Sequence, residues 1–306
     1  MLNLFQHPSL FKTKQLLNQL KWILKQIQDD GHSVVKILFF VIICTHSSLL
    51  SAFPEIQPDF KGLPVVSMNV EGQKVWFKQS GPEKIGLKGC FKKALTAFIP
   101  IPTLRPTYYC SQQESFENEI SRINTLANMG VPVPYVLKRT ENWIALTDLG
   151  ETFDNLIKKS KTEDEKINLI QKATLGLAQL HTRGQYHGRG VLRDIILTPE
   201  GKVGFIDFEE NPPGPLIFKQ ARDLLMHLYS VAEYSDDLKF MQTAMQTYQT
   251  HGETVPFKIA IGFLRVSAPF IQLFKFAPLG RDGVRLLKAQ ALSQKALELN
   301  SCQKNL

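Results

Sequence analysis

The period of the apolar positions changes along this chain, and each change marks an element. Ile167, Ile170, Ala173, Leu177 and Leu180 recur at helical spacing. Thr162-Glu163-Asp164-Glu165 opens that run as a capping box, and it stops near His181 and Gly184. A second helical stretch, 115–128, carries Phe116, Ile120, Ile123 and Leu126 or Ala127 on one face. Gly130-Val131-Pro132-Val133-Pro134 ends it, because proline and the residue before it disfavour helix. Strand-like runs lie between and after these helices: Val75-Trp76-Phe77-Lys78, Trp143-Ile144-Ala145-Leu146-Thr147, Ile195-Ile196-Leu197-Thr198 and Val203-Gly204-Phe205-Ile206. The last two flank the turn signal Pro199-Glu200-Gly201-Lys202, which predicts a hairpin. Further on, a helical run opens at Arg222-Asp223-Leu224-Leu225. Residues 257–276 alternate apolar clusters with Lys258, Arg265 and Lys275; Pro269 and Pro278 are expected to break them into short helices. A last helix runs from Arg281 to about Leu299. Both strands and helices are therefore expected in the fold.

The hairpin places Asp194 at the start of one strand and Asp207 at the end of the other, so two carboxylates share one edge. Mg²⁺ takes hard oxygen ligands, commonly one or two carboxylates with substrate phosphates. The flanking residues are His187-Gly188-Arg189-Gly190-Val191-Leu192-Arg193-Asp194 and Phe205-Ile206-Asp207-Phe208-Glu209. Upstream, Lys78 closes a strand. Glu119 on the 115–128 helix is the chosen partner for Lys78, with Glu117 as the alternative. Asp148-Leu149-Gly150 follows a strand as a hinge.

Taken in order, the strand lysine, helix glutamate, G-V-P-V-P, hinge, H-G-x-x-x-x-x-D and D-F-E resemble the bacterial lipopolysaccharide kinase branch of the protein-kinase-like superfamily. That branch includes heptose and Kdo kinases and InaA-type proteins. The resemblance spans about residues 60–290, with 187–209 its most specific part. It implies an α+β, bilobal fold with an N-terminal helical extension: a small β-rich lobe over 56–147 and a larger, mainly helical lobe over 148–306. It also implies that Lys78 and Glu119 position ATP, that the backbone at Asp148 and Gly150 reads adenine, and that Asp194 and Asp207 hold Mg²⁺. His187 would support the D-F-E turn, and Asp223 would brace the loop before Asp194. The implied activity is phosphorylation of a sugar or lipid-linked sugar of the bacterial envelope.

The departures bear on mechanism. No G-x-G-x-x-G run precedes Lys78, since Val70-Glu71-Gly72-Gln73 offers one glycine, and Glu209 replaces the glycine of D-F-G. Arg189 stands where the motif H-x-D-x-x-x-x-N puts its catalytic aspartate, and Asp194 where it puts asparagine. A guanidinium cannot accept a proton, and losing a positioned base removes roughly 10²–10⁴ in rate. Phosphoryl transfer rests mainly on positioning and charge stabilisation, so two readings stand. In one, Arg189 and Arg193 clamp the γ-phosphate or an anionic acceptor in an active transferase. In the other, Arg189 neutralises Asp194 or Asp207, leaving a pseudokinase that binds nucleotide as a regulator or scaffold at the membrane. A protein kinase is a third reading; the short stretch between Asp207 and Asp223 leaves no room for a long activation segment.

Composition narrows the setting. The chain has 306 residues, 43% hydrophobic and 21% charged, and a formal net charge of +8. That length suits two lobes plus an extension. The charge favours phosphorylated or anionic membrane partners, and no motif points to nucleic acid. The four cysteines are widely spaced without C-x-x-C, so neither a disulfide framework nor a zinc site is expected, consistent with a reducing compartment. Residues 1–55 stand apart. The stretch 11–28 reads as a basic amphipathic helix with Leu16, Leu17, Leu20, Ile23, Leu24 and Ile27 among Lys12, Lys14, Lys21 and Lys25. Residues 34–53 are apolar and long enough to cross a bilayer, though Lys36 and His46 interrupt them. The preceding lysines place the N-terminus in the cytoplasm, and a single span would then put the nucleotide site away from ATP. The expectation is therefore a cytoplasmic protein anchored peripherally on the inner membrane. A span at 34–53 and a soluble packed helix are the alternatives. In the C-terminal part, Lys258, Arg265 and Lys275 belong either to the helical base of the large lobe or to a basic ledge for lipid head groups.

Overall fold

A computed structural model describes residues 56–79, 87, 90, 91, 107–273 and 281–303. Internal contacts divide the chain into Met1–Gln57 and Pro58–Leu306. The expected helix at 11–28 and the apolar stretch at 34–53 lie outside the described residues. Among the described residues, no helix is long and apolar enough to cross a membrane.

The second unit is built from two antiparallel sheets and a set of helices. Strands β1 (Val65–Val70), β2 (Gln73–Gln79), β3 (Val136–Arg139) and β4 (Trp143–Thr147) form one sheet in the order β1-β2-β4-β3. Val75 and Phe77 alternate inward on β2, and the Phe77 ring meets Trp143 edge-on at 5.4 Å. Helix α1 (Gln112–Asn128) begins earlier than periodicity indicates, because the Ser111 hydroxyl accepts from Glu114 N and caps it. Its buried face is Phe116, Glu119, Ile123 and Leu126, a helical spacing that includes one carboxylate.

The second sheet, in the order β5-β6-β7, joins β5 (Glu151–Thr152) to the hairpin of β6 (Ile195–Leu197) and β7 (Val203–Phe205). Helix α2 (Phe153–Lys159) precedes α3 (Glu163–Thr182), where Thr162 and Glu165 make the reciprocal bonds of a capping box. Gly176 lets α3 run close over β7: a Cβ there would lie 2.3 Å from Val203 Cγ1. The remaining helices are α4 (Leu216–Val231), α5 (Leu238–His251), α6 (Thr254–Leu273) and α7 (Arg281–Gln303). α3 packs on α5, α4 on α6, and α7 runs against α4, α5 and α6.

Three expectations are corrected. α4 starts at Leu216 rather than Arg222. Its buried face mixes Gln220, Asp223 and His227 with Ala221, Leu224 and Leu228, which hides the apolar period. α6 passes unbroken through Pro269. Proline in a helix interior costs about 3 kcal/mol; the preceding turns of α6 bury Ala260, Ile261 and Leu264 in the core. Cys90 and Cys110 form a disulfide, with Cα atoms 4.8 Å apart. Distance along a chain does not measure distance after folding. This bond anchors the residue just before the α1 cap.

Candidate functional site

β2 delivers Lys78 opposite Ile144 of β4, in a position only 6% exposed. A buried ammonium requires counter-charges, and three carboxylates supply them. Nζ lies 2.9 Å from Glu119 Oε1, 2.5 Å from Asp207 Oδ1 and 2.9 Å from Glu209 Oε1. Of the two candidate partners on α1, Glu119 faces inward. Glu117 lies on the solvent side and accepts from Gln113 and Arg139. The second Glu119 oxygen, Oε2, is buried with no hydrogen-bond partner among the described residues.

The opposite side of Asp207 meets Arg189, whose loop is wired to α4. Asp223 accepts from His187 N at 2.5 Å and Gly188 N at 2.7 Å. Arg222 donates to Gly188 O, His227 Nδ1 to Gly190 O, and Ser230 Oγ accepts from Leu192 N. All four side chains project from one side of the same helix. The loop also needs its glycines. Gly188 has φ +110 with a would-be Cβ 2.0 Å from Glu210 O; Gly190 has φ +34 with one 2.6 Å from Asp223 O. His187 Nε2 donates to Ile206 O, and its ring lies 5.1 Å from that of Phe208. A short 3₁₀ turn, Leu192–Asp194, then leads into β6, and Ile206 N donates to Asp194 O across the hairpin.

Arg189 therefore projects from a fixed backbone, and its side chain is 17% exposed. Nε donates to Asp194 Oδ2 at 2.8 Å, and Nη2 donates to Asp207 Oδ2. Arg193 is more exposed and reaches Asp194 Oδ1 only at 3.7 Å. Asp207 adopts φ 64, a left-handed conformation uncommon outside glycine. Such conformations persist where surrounding bonds over-determine them. Here both carboxylate oxygens are held, one by Lys78 and the other by Arg189.

Burial opposes ionisation of Asp207, yet Lys78 and Arg189 overcome it and hold the carboxyl well below the usual range. Burial likewise opposes the charge on Lys78. Asp207, Glu119 and Glu209 outweigh it and raise the ammonium well above its ordinary value. For Arg189, burial is outweighed by Asp194 and Asp207, which push the guanidinium further up. At Asp194 burial and the charge of Asp207 prevail over Arg189, and at Glu119 burial prevails over Lys78, so both carboxyls lie above their usual values.

This arrangement does not fit a divalent ion. Asp194 and Asp207 are hard-oxygen donors of the right kind, but three of their four oxygens face a cationic N–H within hydrogen-bond range. A doubly charged ion about 4 Å from the guanidinium would meet a repulsion of about 8 kcal/mol at an effective dielectric of about 20. Among the described residues, no group of three or more His, Cys, Asp or Glu side chains could hold a metal.

Asp148 and Gly150 lie on the segment that joins β4 to β5. Asp148 Oδ1 accepts from Trp76 Nε1 at 2.6 Å and pairs with Lys74 at 3.3 Å. Gly150, at φ +133, packs where a Cβ would lie 2.4 Å from Leu197 O. Both line a cavity of about 440 Å³ together with Val131, Tyr135, Glu200 and Lys202; Lys78, Glu119, Arg189, Asp194 and Asp207 do not line it.

Sequence reasoning missed a polar chain behind the acids. Tyr109 donates to Glu209 O and accepts from Asn118, Asn211 donates to Asn118, and Tyr186 donates to Asn211. Arg122 and Lys219 lie over the Tyr186 ring at 4.0 and 4.5 Å. Asn118 neighbours Glu119, and that adjacency was the available signal.

No protein-family profile matches the chain. It is similar to an uncharacterized protein of Haemophilus influenzae, 33% identical over 215 residues that cover 69% of this chain and 81% of that protein. Among solved structures, it is similar to WaaP in complex with acyl carrier protein, with a TM-score of 0.41 and 12% identity, covering 78% of this chain and 91% of that chain.

Proposed function

Taking as premise that the chain belongs to one family with the Haemophilus influenzae protein, we propose that it is a kinase-like phosphotransferase. It binds ATP and acts on a hydroxyl of a sugar or lipid-linked sugar of the bacterial envelope. The observation that carries this reading is Lys78, 2.9 Å from Glu119 and 2.5 Å from Asp207. A strand lysine held between a helix carboxylate and an acid at a hairpin end is what a phosphate-positioning site requires. In this reading β1–β4 with α1 form a small lobe and β5 onward a large one. Lys78 meets the α- and β-phosphates, the backbone at 148–150 meets the base, and Arg189 presents donors to the γ-phosphate. With no carboxylate at position 189, rate enhancement rests on positioning and charge stabilisation. The +8 net charge supports work beside an anionic membrane surface.

One observation favours a second reading, an inert nucleotide-binding regulator: Arg189 is bonded to both acids. Thermal-shift titration with ATP, with and without Mg²⁺, followed by ATP turnover with and without envelope glycolipids, separates the two. Turnover dependent on a glycolipid is the expected result. Binding without turnover in every condition selects the regulator, and absence of binding defeats both.

A further inference from the structure

We propose that Arg189 is the resident cation of the Asp194–Asp207 pair, and that a divalent ion must compete with its guanidinium for the same oxygens. The nucleotide-free protein then takes up no divalent cation at these acids. The inference rests on the kinase-like reading of the site and adds how that site is regulated.

Nε and Nη2 of one planar group address one carboxylate each, so the guanidinium stands between the acids where a bridging ion would have to sit. Lys78 occupies the other Asp207 oxygen at 2.5 Å. The remaining one, Asp194 Oδ1, faces Arg193 at 3.7 Å. Three of the four carboxylate oxygens thus already accept from a cationic N–H. The backbone that carries the guanidinium is also fixed. Gly188 and Gly190 on either side are packed against Glu210 O and Asp223 O without room for a Cβ. Arg189 N donates to His187 Nδ1, and its side chain is mostly covered. An arginine stays charged at any working pH, so the block is not lifted by deprotonation. Two of its five N–H groups serve the acids, leaving others for a phosphate oxygen. A phosphate-bearing ligand can thus draw the guanidinium off the acids, which a bare metal ion cannot do. The pair opens to metal after a phosphate arrives, not before.

The test is Mn²⁺ titration of the full chain without nucleotide, read by the loss of free-ion electron paramagnetic resonance signal. The wild type is expected to show no site that depends on Asp194. Arg189→Gln is expected to gain one site per chain that disappears when Asp194→Asn is added. A wild-type Mn²⁺ site lost on Asp194→Asn overturns the inference, as does folded Arg189→Gln protein that gains none. The wild-type comparison needs only Asp194→Asn and decides the matter even where Arg189→Gln fails to fold. ATP binding is measured separately. Its absence defeats the kinase-like reading without touching the Mn²⁺ result, and wild-type Mn²⁺ uptake defeats this inference without touching ATP binding.

Discussion

Two corners of the site share Asp207 and differ in surroundings. At the Lys78 corner one ammonium, on the inner strand β2 of the four-stranded sheet, faces three carboxylates. At the Arg189 corner one guanidinium faces two, and its backbone is held at five points by α4. The first has an excess of acid and can exchange one, Glu209, for a phosphate without leaving the lysine bare. The second has one acid more than its cation, but both acids are already bonded to a guanidinium on a fixed backbone, which an incoming cation would have to displace. The contrast assigns ligand capture to the lysine side and gating to the arginine side.

The most severe way to break this contrast is to remove what the corners share. Asp207→Ala removes the acid that both cations share, and losing one partner of a buried pair costs about 3–5 kcal/mol. Asp194→Ala, which touches Arg189 and only grazes Arg193, is expected to cost clearly less in urea unfolding. Equal losses would show that the corners are not linked through Asp207.

Rigidity of the arginine side is tested next. Gly190→Ala forces a Cβ against Asp223 O and is expected to destabilise by about 3 kcal/mol. Gly72→Ala, in the β1–β2 turn at φ +82 with nothing within 4 Å of the added carbon, is expected to cost about 1 kcal/mol. Similar thermal shifts for the two variants would remove the claim that one loop is clamped and the other open.

A third measurement uses pH. Burial, the largest influence, pushes His227 down to about 4, although its bond to Gly190 O favours the charged form. A folded-state value below the unfolded one near 6.5 leaves stability intact above 6.5, since neither state is protonated there. Stability is lost as pH falls from 6.5 towards 4, because only the unfolded chain gains the proton. Between pH 7 and pH 5 the loss from this group is about 2 kcal/mol. His227→Gln should flatten that part of the stability profile; an unchanged slope would show that the clamp does not depend on a neutral imidazole.

The smallest expected effect sharpens the lysine side. Glu119→Gln should weaken ATP binding severalfold in thermal-shift titration, whereas Glu117→Gln, on the solvent face, should leave it unchanged. Equal effects would remove Glu119 from the positioning role.

Legibility in the sequence followed from how local each cause is. The capping box at Thr162, the Pro199–Lys202 turn and the β-branched runs around it act within a few residues, so α3 and the β6–β7 hairpin could be read directly. The start of α4 could not, because the face it buries carries Gln220, Asp223 and His227 to serve the loop rather than leucines to serve the core. The clustering of Glu119 with Lys78 was approachable because α1 repeats with a helical period and only one of its two central glutamates falls on the apolar side. The Cys90–Cys110 bond and the Tyr109–Asn118–Asn211–Tyr186 chain depend on long-range closure, and no periodicity records that. Arg189 was visible as a substitution, but its simultaneous hold on both acids is a product of loop geometry.

That geometry has one more consequence. α4 fixes the course of residues 187–192 almost entirely through main-chain N–H and C=O groups, so the path of the loop is indifferent to which side chain sits at 189. The position behaves as a socket whose occupant can be exchanged while its surroundings stay in register. Aspartate installed there by a single substitution would project from the same backbone but stop short of Asp194 and Asp207, exchanging a blocking cation for a proton acceptor. Arg189→Asp is thus a conversion of chemistry on a standing frame, and lineages carrying this helix could pass in either direction between a gated and an ungated site without rebuilding the domain.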